Sequence, residues 1–175
     1  MNLNFLSDEI AIINLNVDCK KIISSIENIN KNEIKFEKVL YRKHLTMLIP
    51  SENNNEDSED IKLIKNIVEN TISSLIYQFA NLINIESIKK RKNITVSKLQ
   101  PGDDCELHID EEKAIYCDLY LNNNFKGGEL IFPGLNISVN PSPGLLIIYR
   151  PNHPHLVNMV YNNSRYCFGI DYHIL

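Results

Sequence analysis

From Asn93 onward the sequence is a series of short apolar runs separated by Gly and Pro, and this pattern restricts the fold more than any other feature. The runs predict strands near residues 94–100, 113–122, 129–132, 136–139, 144–149, 155–161 and 164–173. The turn signals between them include Pro101-Gly102, Gly127-Gly128, Pro133-Gly134 and Pro141-Ser142-Pro143-Gly144. Short strands at regular spacing, without intervening helices, are typical of an antiparallel sandwich or barrel.

The N-terminal half mixes strand and helix patterns. β-Branched residues predict a strand over 9–17, and Asp18 is placed to cap a helix that runs to about Ile29. Residues 35–49 indicate one long or two short strands, and the acidic stretch 51–60 indicates a loop. Apolar residues at three- and four-residue intervals predict a long amphipathic helix over 61–83, followed by a basic turn over 89–93. We expect the helices to pack on one outer face of the sheet.

Charge, hydrophobicity and cysteine content limit the partners and the cellular compartment that we expect. The 175 residues carry a formal net charge of −4 and no basic stripe, which argues against nucleic acid and anionic membrane as partners. No apolar run is long enough to span a bilayer. The four cysteines match neither a zinc motif nor a dense disulfide framework, so we expect free thiols. Together with an N-terminus that lacks a signal-peptide pattern, this predicts a cytoplasmic protein.

Three sequence features together suggest metal chemistry. His108-Ile109-Asp110 lies on a strand or its end, where residues two apart point the same way. His153 and His155 follow a β-rich run, and Arg165 comes after them. Two histidines and one carboxylate form the facial triad of non-heme Fe(II) enzymes, which leaves positions open for a cosubstrate and dioxygen. An arginine fork suits the far carboxylate of a dicarboxylate cosubstrate.

Four ordered segments carry a family resemblance: PGDDCELHID, DLYLNNNFKGGELIFP, VNPSPGLLIIY and HLVNMVYNNSRY. The stretch from Pro101 to Tyr172 resembles the prolyl 4-hydroxylase-like branch of the 2-oxoglutarate- and Fe(II)-dependent dioxygenases. The resemblance implies a mainly β fold with flanking helices: a double-stranded β-helix, or cupin-like jelly roll, with the N-terminal helices on one sheet. It implies a single domain over 1–175, with helical and strand support over 1–92 and a metal-binding core over 93–175.

The resemblance also implies roles for individual residues. His108, Asp110 and His155 would be the iron ligands, and His155 is preferred over His153 because the family places its basic residue ten positions after the distal ligand. Arg165 would pair with the far carboxylate of 2-oxoglutarate. Tyr120 would lend its hydroxyl to the same carboxylate, the alternative being a core aromatic.

The implied activity is hydroxylation of an unactivated C–H bond in an amino acid or a peptidyl residue, with succinate and CO2 as coproducts. Its cofactors would be Fe(II), 2-oxoglutarate and O2, with ascorbate as an optional reductant. Asp110 favours hydroxylation, because halogenating relatives lack this carboxylate. Three alternatives remain open: a non-catalytic jelly-roll binding module, a dioxygenase acting on another small molecule, and a cupin-type enzyme without cosubstrate.

Two further positions are candidates for substrate contact, Asp118 and Arg150. Alternation along the strand places Asp118 on the same side as Tyr120, and a buried carboxylate needs partners. Asp118 could pair internally with Lys98, Arg150 or Lys113, or it could bind a substrate amine or amide. Cys105 stands where the family usually has Tyr, and we interpret it as a small buried filler or a thiol near the metal.

Overall fold

The chain folds mainly into antiparallel strands, with its helices in the N-terminal half. The computed structural model describes residues 2–38, 44–90, 93–110 and 114–174. The strands are β1 (Asn4–Ser7), β2 (Ile10–Asn14), β3 (Glu37–Lys38), β4 (Leu45–Pro50), β5 (Ile88–Lys90), β6 (Asn93–Leu99), β7 (Cys105–His108), β8 (Ile115–Tyr120), β9 (Lys126–Gly127), β10 (Leu130–Phe132), β11 (Ile137–Val139), β12 (Leu145–Tyr149), β13 (His155–Val157), β14 (Val160–Tyr161) and β15 (Arg165–Ile174). The helices are α1 (Cys19–Asn32), α2 (Glu59–Ile67) and α3 (Ser73–Leu82), with a π-helical turn over Val68–Ile72 and a 3-10 turn over Pro133–Leu135.

Two sheets organise these strands. The major sheet has nine strands in the order β1-β2-β12-β8-β15-β6-β4-β3, with β5 paired to β15 outside this path. The minor sheet has four strands in the order β11-β10-β13-β7, and β9 pairs with β14 as a separate ribbon. All of these pairs are antiparallel. The expected mainly β class with flanking helices is confirmed.

Local sequence signals account for the helices. The Asp18 side chain accepts a hydrogen bond from the Lys21 backbone N–H at 3.0 Å, as expected for an N-cap. Ser58 caps α2 in the same way through the Ile61 N–H at 3.2 Å. The predicted helix over 61–83 is thus present as α2, the π-helical turn and α3 in succession. In the described residues, no helix has the length and hydrophobicity needed to cross a membrane.

The major sheet lies between two buried clusters. One cluster joins helix side chains such as Ile26 and Phe79 to side chains on one face of the sheet, among them Leu119 and Phe168. The other joins the opposite face to the minor sheet, for example Tyr120 to Phe132. The alternation of side chains along each strand separates these two environments.

Some elements differ from the sequence-based expectation. The predicted basic turn over 89–93 is wrong for residues 89, 90 and 93, because Lys89 and Lys90 pair with β15 as part of β5 and Asn93 begins β6. Such a pairing is set by tertiary structure and leaves little local signal. Residues 91–92 lie outside the described part. The predicted strand over 155–161 is divided into β13 and β14, and the prediction for 35–49 is met by β3 and β4, while residues 39–43 lie outside the described part.

Candidate metal and cosubstrate site

The pairing of β7 with β13 brings the predicted metal ligands together. His108 and His155 are direct partners across this antiparallel pair, and their ring centroids lie 4.3 Å apart. Asp110 follows the end of β7, where its backbone N–H donates to the Pro151 carbonyl oxygen at 3.0 Å. Ligand atoms of His108, Asp110 and His155 all lie within 4.8 Å of one another. The structure therefore groups these three residues as a cluster that could hold one metal ion.

The backbone selects which imidazole nitrogen of each histidine carries the proton. His108 Nδ1 lies 2.7 Å from the Glu106 carbonyl oxygen, and His155 Nδ1 lies 2.8 Å from the His153 carbonyl oxygen. A carbonyl oxygen can only accept, so each Nδ1 carries the proton. The lone pair of each Nε2 is then available to a metal. This is the tautomer-fixing arrangement that metal-binding histidines use.

Aromatic rings and one thiol surround the histidines. The centroids of Phe132 and Tyr149 lie 5.7 and 5.4 Å from that of His155, which is only 1% exposed. Packing on both rings restricts the rotamers of His155. Cys105 is half-buried, and its Sγ lies 3.8 Å from His108 Nδ1. It lines the pocket beside His108, so the description of Cys105 as a thiol near the metal site fits better than that of a buried filler.

Arg165 lines the same cavity, and the buried Tyr120 packs against its guanidinium. Arg165 is only 2% exposed, and its Cζ lies 4.9 Å from the centroid of the Tyr120 ring. Its Nη1 donates to Cys167 Sγ at 3.3 Å. Among the described residues, the Arg165 Nε and the Tyr120 hydroxyl have no hydrogen-bond partner. Unsatisfied buried donors are costly, so the two groups suit an incoming anionic acceptor.

The protonation states at this end of the cavity favour anion binding. Burial raises the pKa of Tyr120 well above its usual range, although the Arg165 charge opposes the shift, so the phenol keeps its proton. Burial alone would lower the pKa of Arg165, but Cys167, Tyr120 and Asp118 together raise it. Burial also raises the pKa of Cys167 to about 12, with Arg165 opposing and Asp118 adding to the shift. The cavity therefore offers a charged guanidinium beside two neutral donors.

Gly128 makes room for the guanidinium. A Cβ built on Gly128 would lie 2.9 Å from Arg165 Cδ and 2.9 Å from the Phe125 ring, and the φ of Gly128 is +73°. A side chain here would meet both steric contact and an unfavourable backbone conformation. Gly128, the second glycine of the Gly127-Gly128 turn signal, thus leaves space for the Arg165 side chain.

Asp118 lines the cavity, on the face that strand alternation predicts. A Cβ at Gly169 on the neighbouring strand would lie 3.1 Å from both Asp118 Oδ1 and the Tyr116 hydroxyl, so the glycine leaves space for these two side chains. The partners that the sequence suggests for Asp118 do not include Arg165, which is a charged neighbour of Asp118 in the structure. Lys98 binds Glu27 at 2.9 Å and Lys113 lies outside the described residues, whereas Arg165 is close enough for Asp118 to raise its pKa.

Arg150 and His153 lie in the loop before β13, and neither is among the residues that line the cavity. Arg150 Nη1 and His153 Nε2 both bind the Glu9 carboxylate, each at 2.6 Å. The side chain of His153 therefore lies outside the cluster formed by His108, Asp110 and His155. The Arg150 side chain binds Glu9 and is not among the cavity-lining residues, so its predicted contact with substrate gains no support from this position.

The cavity residues that the sequence did not identify include His44, Ser97 and Tyr149. Ser97 faces Cys167 across the β6–β15 pair, and Tyr149 faces Tyr116 across the β12–β8 pair. His44 precedes β4, which pairs with β6. Strand register was the missing signal, because each residue looks ordinary until its neighbour across the sheet is known.

The arrangement has two chemically different ends. The two Nε2 atoms and the Asp110 carboxylate form a donor set that suits Fe(II) with open coordination positions. At the other end the cavity is lined by the Arg165 guanidinium, with the Tyr120 ring packed behind it, and this end suits an anion. A dicarboxylate could therefore reach the metal with one end and the guanidinium with the other.

Comparisons with known proteins give a fold but no sequence family. No family model and no curated protein sequence matches the chain. Solved structures do match. A prolyl hydroxylase from Trichoplax adhaerens, in complex with a hypoxia inducible factor oxygen degradation domain peptide fragment, has a TM-score of 0.78 at 20% identity. This match covers 96% of the present chain and 84% of the other.

Two further structures agree with the first. The viral collagen prolyl hydroxylase of Paramecium Bursaria Chlorella virus-1, in its 2OG complex, has a TM-score of 0.71 at 15% identity, over 95% of this chain and 97% of that one. A prolyl-4-hydroxylase of Pseudomonas putida has a TM-score of 0.65 at 14% identity, over 95% and 93% of the two chains. The chain thus shares the fold of proteins in the same branch that its C-terminal motifs resemble.

Proposed function

We propose that this protein is a 2-oxoglutarate- and Fe(II)-dependent dioxygenase. It hydroxylates an unactivated C–H bond of an amino acid or of a peptidyl residue such as proline. The observation that carries the proposal is the grouping of His108, Asp110 and His155 in one cavity with the buried Arg165, against which Tyr120 packs. When bound, Fe(II) and 2-oxoglutarate would provide, together with dioxygen, the chemistry that oxidises the C–H bond. Succinate and CO2 would be the coproducts.

The protein's own contribution is binding and orientation. His108 and His155 present Nε2 because their Nδ1 protons are held by backbone carbonyls, and Asp110 supplies a charged oxygen. Arg165 and Tyr120 would hold the far carboxylate of the cosubstrate by charge-assisted hydrogen bonds. The aromatic rings of Phe132 and Tyr149 exclude water from one side of the metal ligands.

A peptide substrate is supported by one comparison. The Trichoplax adhaerens prolyl hydroxylase is in complex with a peptide fragment, and it covers nearly the whole of the present chain. On this chain, exposed apolar side chains flank the metal ligands, with Leu107 and Ile109 alternating with His108 and Asp110. These side chains suit contacts with an extended peptide, while Asp118 inside the cavity suits an amine or amide of the residue being oxidised.

The test is turnover of 2-oxoglutarate by the purified protein. With Fe(II) and oxygen, succinate should form, and a screen of free amino acids and proline-containing peptides should reveal a substrate that gains the mass of one oxygen atom. The His108→Ala variant serves as the matched control, since it keeps the rest of the cavity. Absence of both 2-oxoglutarate binding and succinate formation in the wild-type protein loaded with Fe(II) would contradict the proposal.

A further inference from the structure

Glu9 connects the N-terminal hairpin to the loop that precedes β13. It lies in the turn between β1 and β2, and its carboxylate receives Arg150 Nη1 on one oxygen and His153 Nε2 on the other, both at 2.6 Å. These partners are 141 and 144 positions away in the sequence. The Arg150 N–H also donates to the Glu9 carbonyl oxygen at 3.1 Å. Backbone and side chain of Glu9 thus fix the same loop.

That loop is bonded to two of the three metal ligands. The His153 carbonyl oxygen accepts from His155 Nδ1 at 2.8 Å, and the Pro151 carbonyl oxygen accepts from the Asp110 N–H at 3.0 Å. The orientation of the His155 ring and the position of Asp110 therefore depend on where residues 150–154 lie. Glu9 sets the position of those residues from outside the cavity, because it is not among the residues that line it.

We propose that Glu9 is a positioning residue for the metal centre, acting through Arg150 and His153 on His155 and Asp110. This inference rests on the proposed function, because it presumes that the cluster binds a metal. Partners that orient metal ligands commonly change metal affinity by about 10- to 100-fold when they are lost. The carboxylate of Glu9 bonds to Arg150 and His153, so its effect passes through the loop that carries them.

The charge of Glu9 suits this task. Its side chain is 27% exposed, and although burial raises its pKa, the hydrogen bonds and charges of Arg150 and His153 lower it below the usual value. An ionised carboxylate has two accepting oxygens, one for each donor. A glutamine in its place has one accepting oxygen and one NH2 group, so it can no longer accept from both partners at once.

The experiment measures metal binding rather than turnover. Co(II) replaces Fe(II) as the probe under anaerobic conditions, and its affinity and ligand-field spectrum are recorded for the wild type and for Glu9→Gln. We expect affinity to fall about tenfold or more and the spectrum to change. The matched control is Glu27→Gln. Glu27 is 30% exposed and also binds two donors, Lys98 Nζ at 2.9 Å and the Tyr166 hydroxyl at 2.7 Å, away from the cavity. We expect this control to keep wild-type Co(II) affinity.

A second variant keeps the test valid should Glu9→Gln unfold. His153→Asn removes the imidazole partner of Glu9 but leaves the carbonyl oxygen that holds His155, and it should also weaken Co(II) binding. In the double variant the two losses should be less than additive, because they break the same link. Wild-type affinity and spectrum in a folded Glu9→Gln or His153→Asn protein would overturn the inference. Failure of the wild type to bind Co(II) would instead overturn the proposed function together with it.

Discussion

The two faces of the major sheet use the same strands for different purposes. On β8, Cys117 and Leu119 face the helices, whereas Tyr116, Asp118 and Tyr120 face the cavity or the minor sheet. On β15, Phe168 and Ile170 belong to the helix side and Arg165 and Cys167 to the cavity side. The helix side is apolar and filled, while the cavity side carries charges, a phenol and a glycine that leaves space.

Because of this contrast, neighbouring residues of one strand differ in role: one stabilises the fold and the next contributes to the cavity. A side chain on the helix face stabilises the fold by removing apolar surface from water, and its neighbour in sequence can be polar without disturbing that packing. Substitutions at adjacent positions should therefore have effects of different kinds. Predictions at four places test this comparison, and the first concerns the cavity residues that β7 of the minor sheet positions.

The largest effect is expected at the metal ligands. His108→Ala and Asp110→Ala should abolish turnover and severely weaken metal binding, because two remaining ligands hold an open six-coordinate site poorly. Thermal unfolding without metal should be almost unchanged, since both side chains are only partly buried. Fe(II) titration and succinate formation measure the first effect. Wild-type iron affinity in either variant would show that the ligand assignment is wrong.

On the helix face, Phe168→Ala should mainly destabilise. Phe168 is fully buried at 0% exposure, and removing such a ring costs about 3–5 kcal/mol of unfolding free energy. Denaturant unfolding measures the loss. The protein that remains folded should bind 2-oxoglutarate as the wild type does. A change of cosubstrate affinity without loss of stability would show that the helix face does not act on stability alone.

Arg165→Ala should mainly weaken cosubstrate binding. Truncating one partner of a buried charged contact costs about 2–5 kcal/mol, so the KM for 2-oxoglutarate should rise strongly while metal affinity stays close to the wild-type value. Arg165→Lys should restore only part of the loss, because an ammonium cannot form two parallel hydrogen bonds. Steady-state kinetics with metal titration distinguish these outcomes. Unchanged 2-oxoglutarate binding in Arg165→Ala would remove the cosubstrate role.

The smallest effect is expected from Asp118→Asn. If Asp118 recognises substrate, substrate affinity should fall by about 1.5 kcal/mol, or roughly tenfold, while 2-oxoglutarate decarboxylation without substrate stays near the wild-type rate. Because Asp118 is a negative neighbour of Arg165, its neutralisation should not weaken cosubstrate binding. A lower melting temperature with unchanged substrate affinity would assign Asp118 to an internal interaction instead.

Sequence patterns predicted the parts of this molecule that are encoded locally. The Asp18 cap, the long helix and most C-terminal strands follow from propensity and periodicity, and the alternation along β8 correctly placed Asp118 in the cavity. The order of the sequence motifs identified His108, Asp110 and His155, and the structure brings these three residues together. These features depend on neighbours within a few positions or on a spacing that the family shares.

Features that depend on distant pairing could not be predicted. The contacts of Glu9 with Arg150 and His153 span more than 140 positions, so nothing near Glu9 marks it. The strand β1 and the strand role of residues 88–90 likewise arise from partners elsewhere in the sheet. His44 reaches the cavity only because β4 pairs with β6 in one register.

The position of β15 has a consequence for folding during synthesis. This strand comes late in the sequence, yet it lies in the interior of the major sheet and pairs with β8, β6 and β5. Until it has left the ribosome, β6 and β8 each lack a partner along one edge, and such edges invite pairing with other chains. Arg165, at the start of β15, therefore takes its place in the cavity only once this strand has paired with β6 and β8.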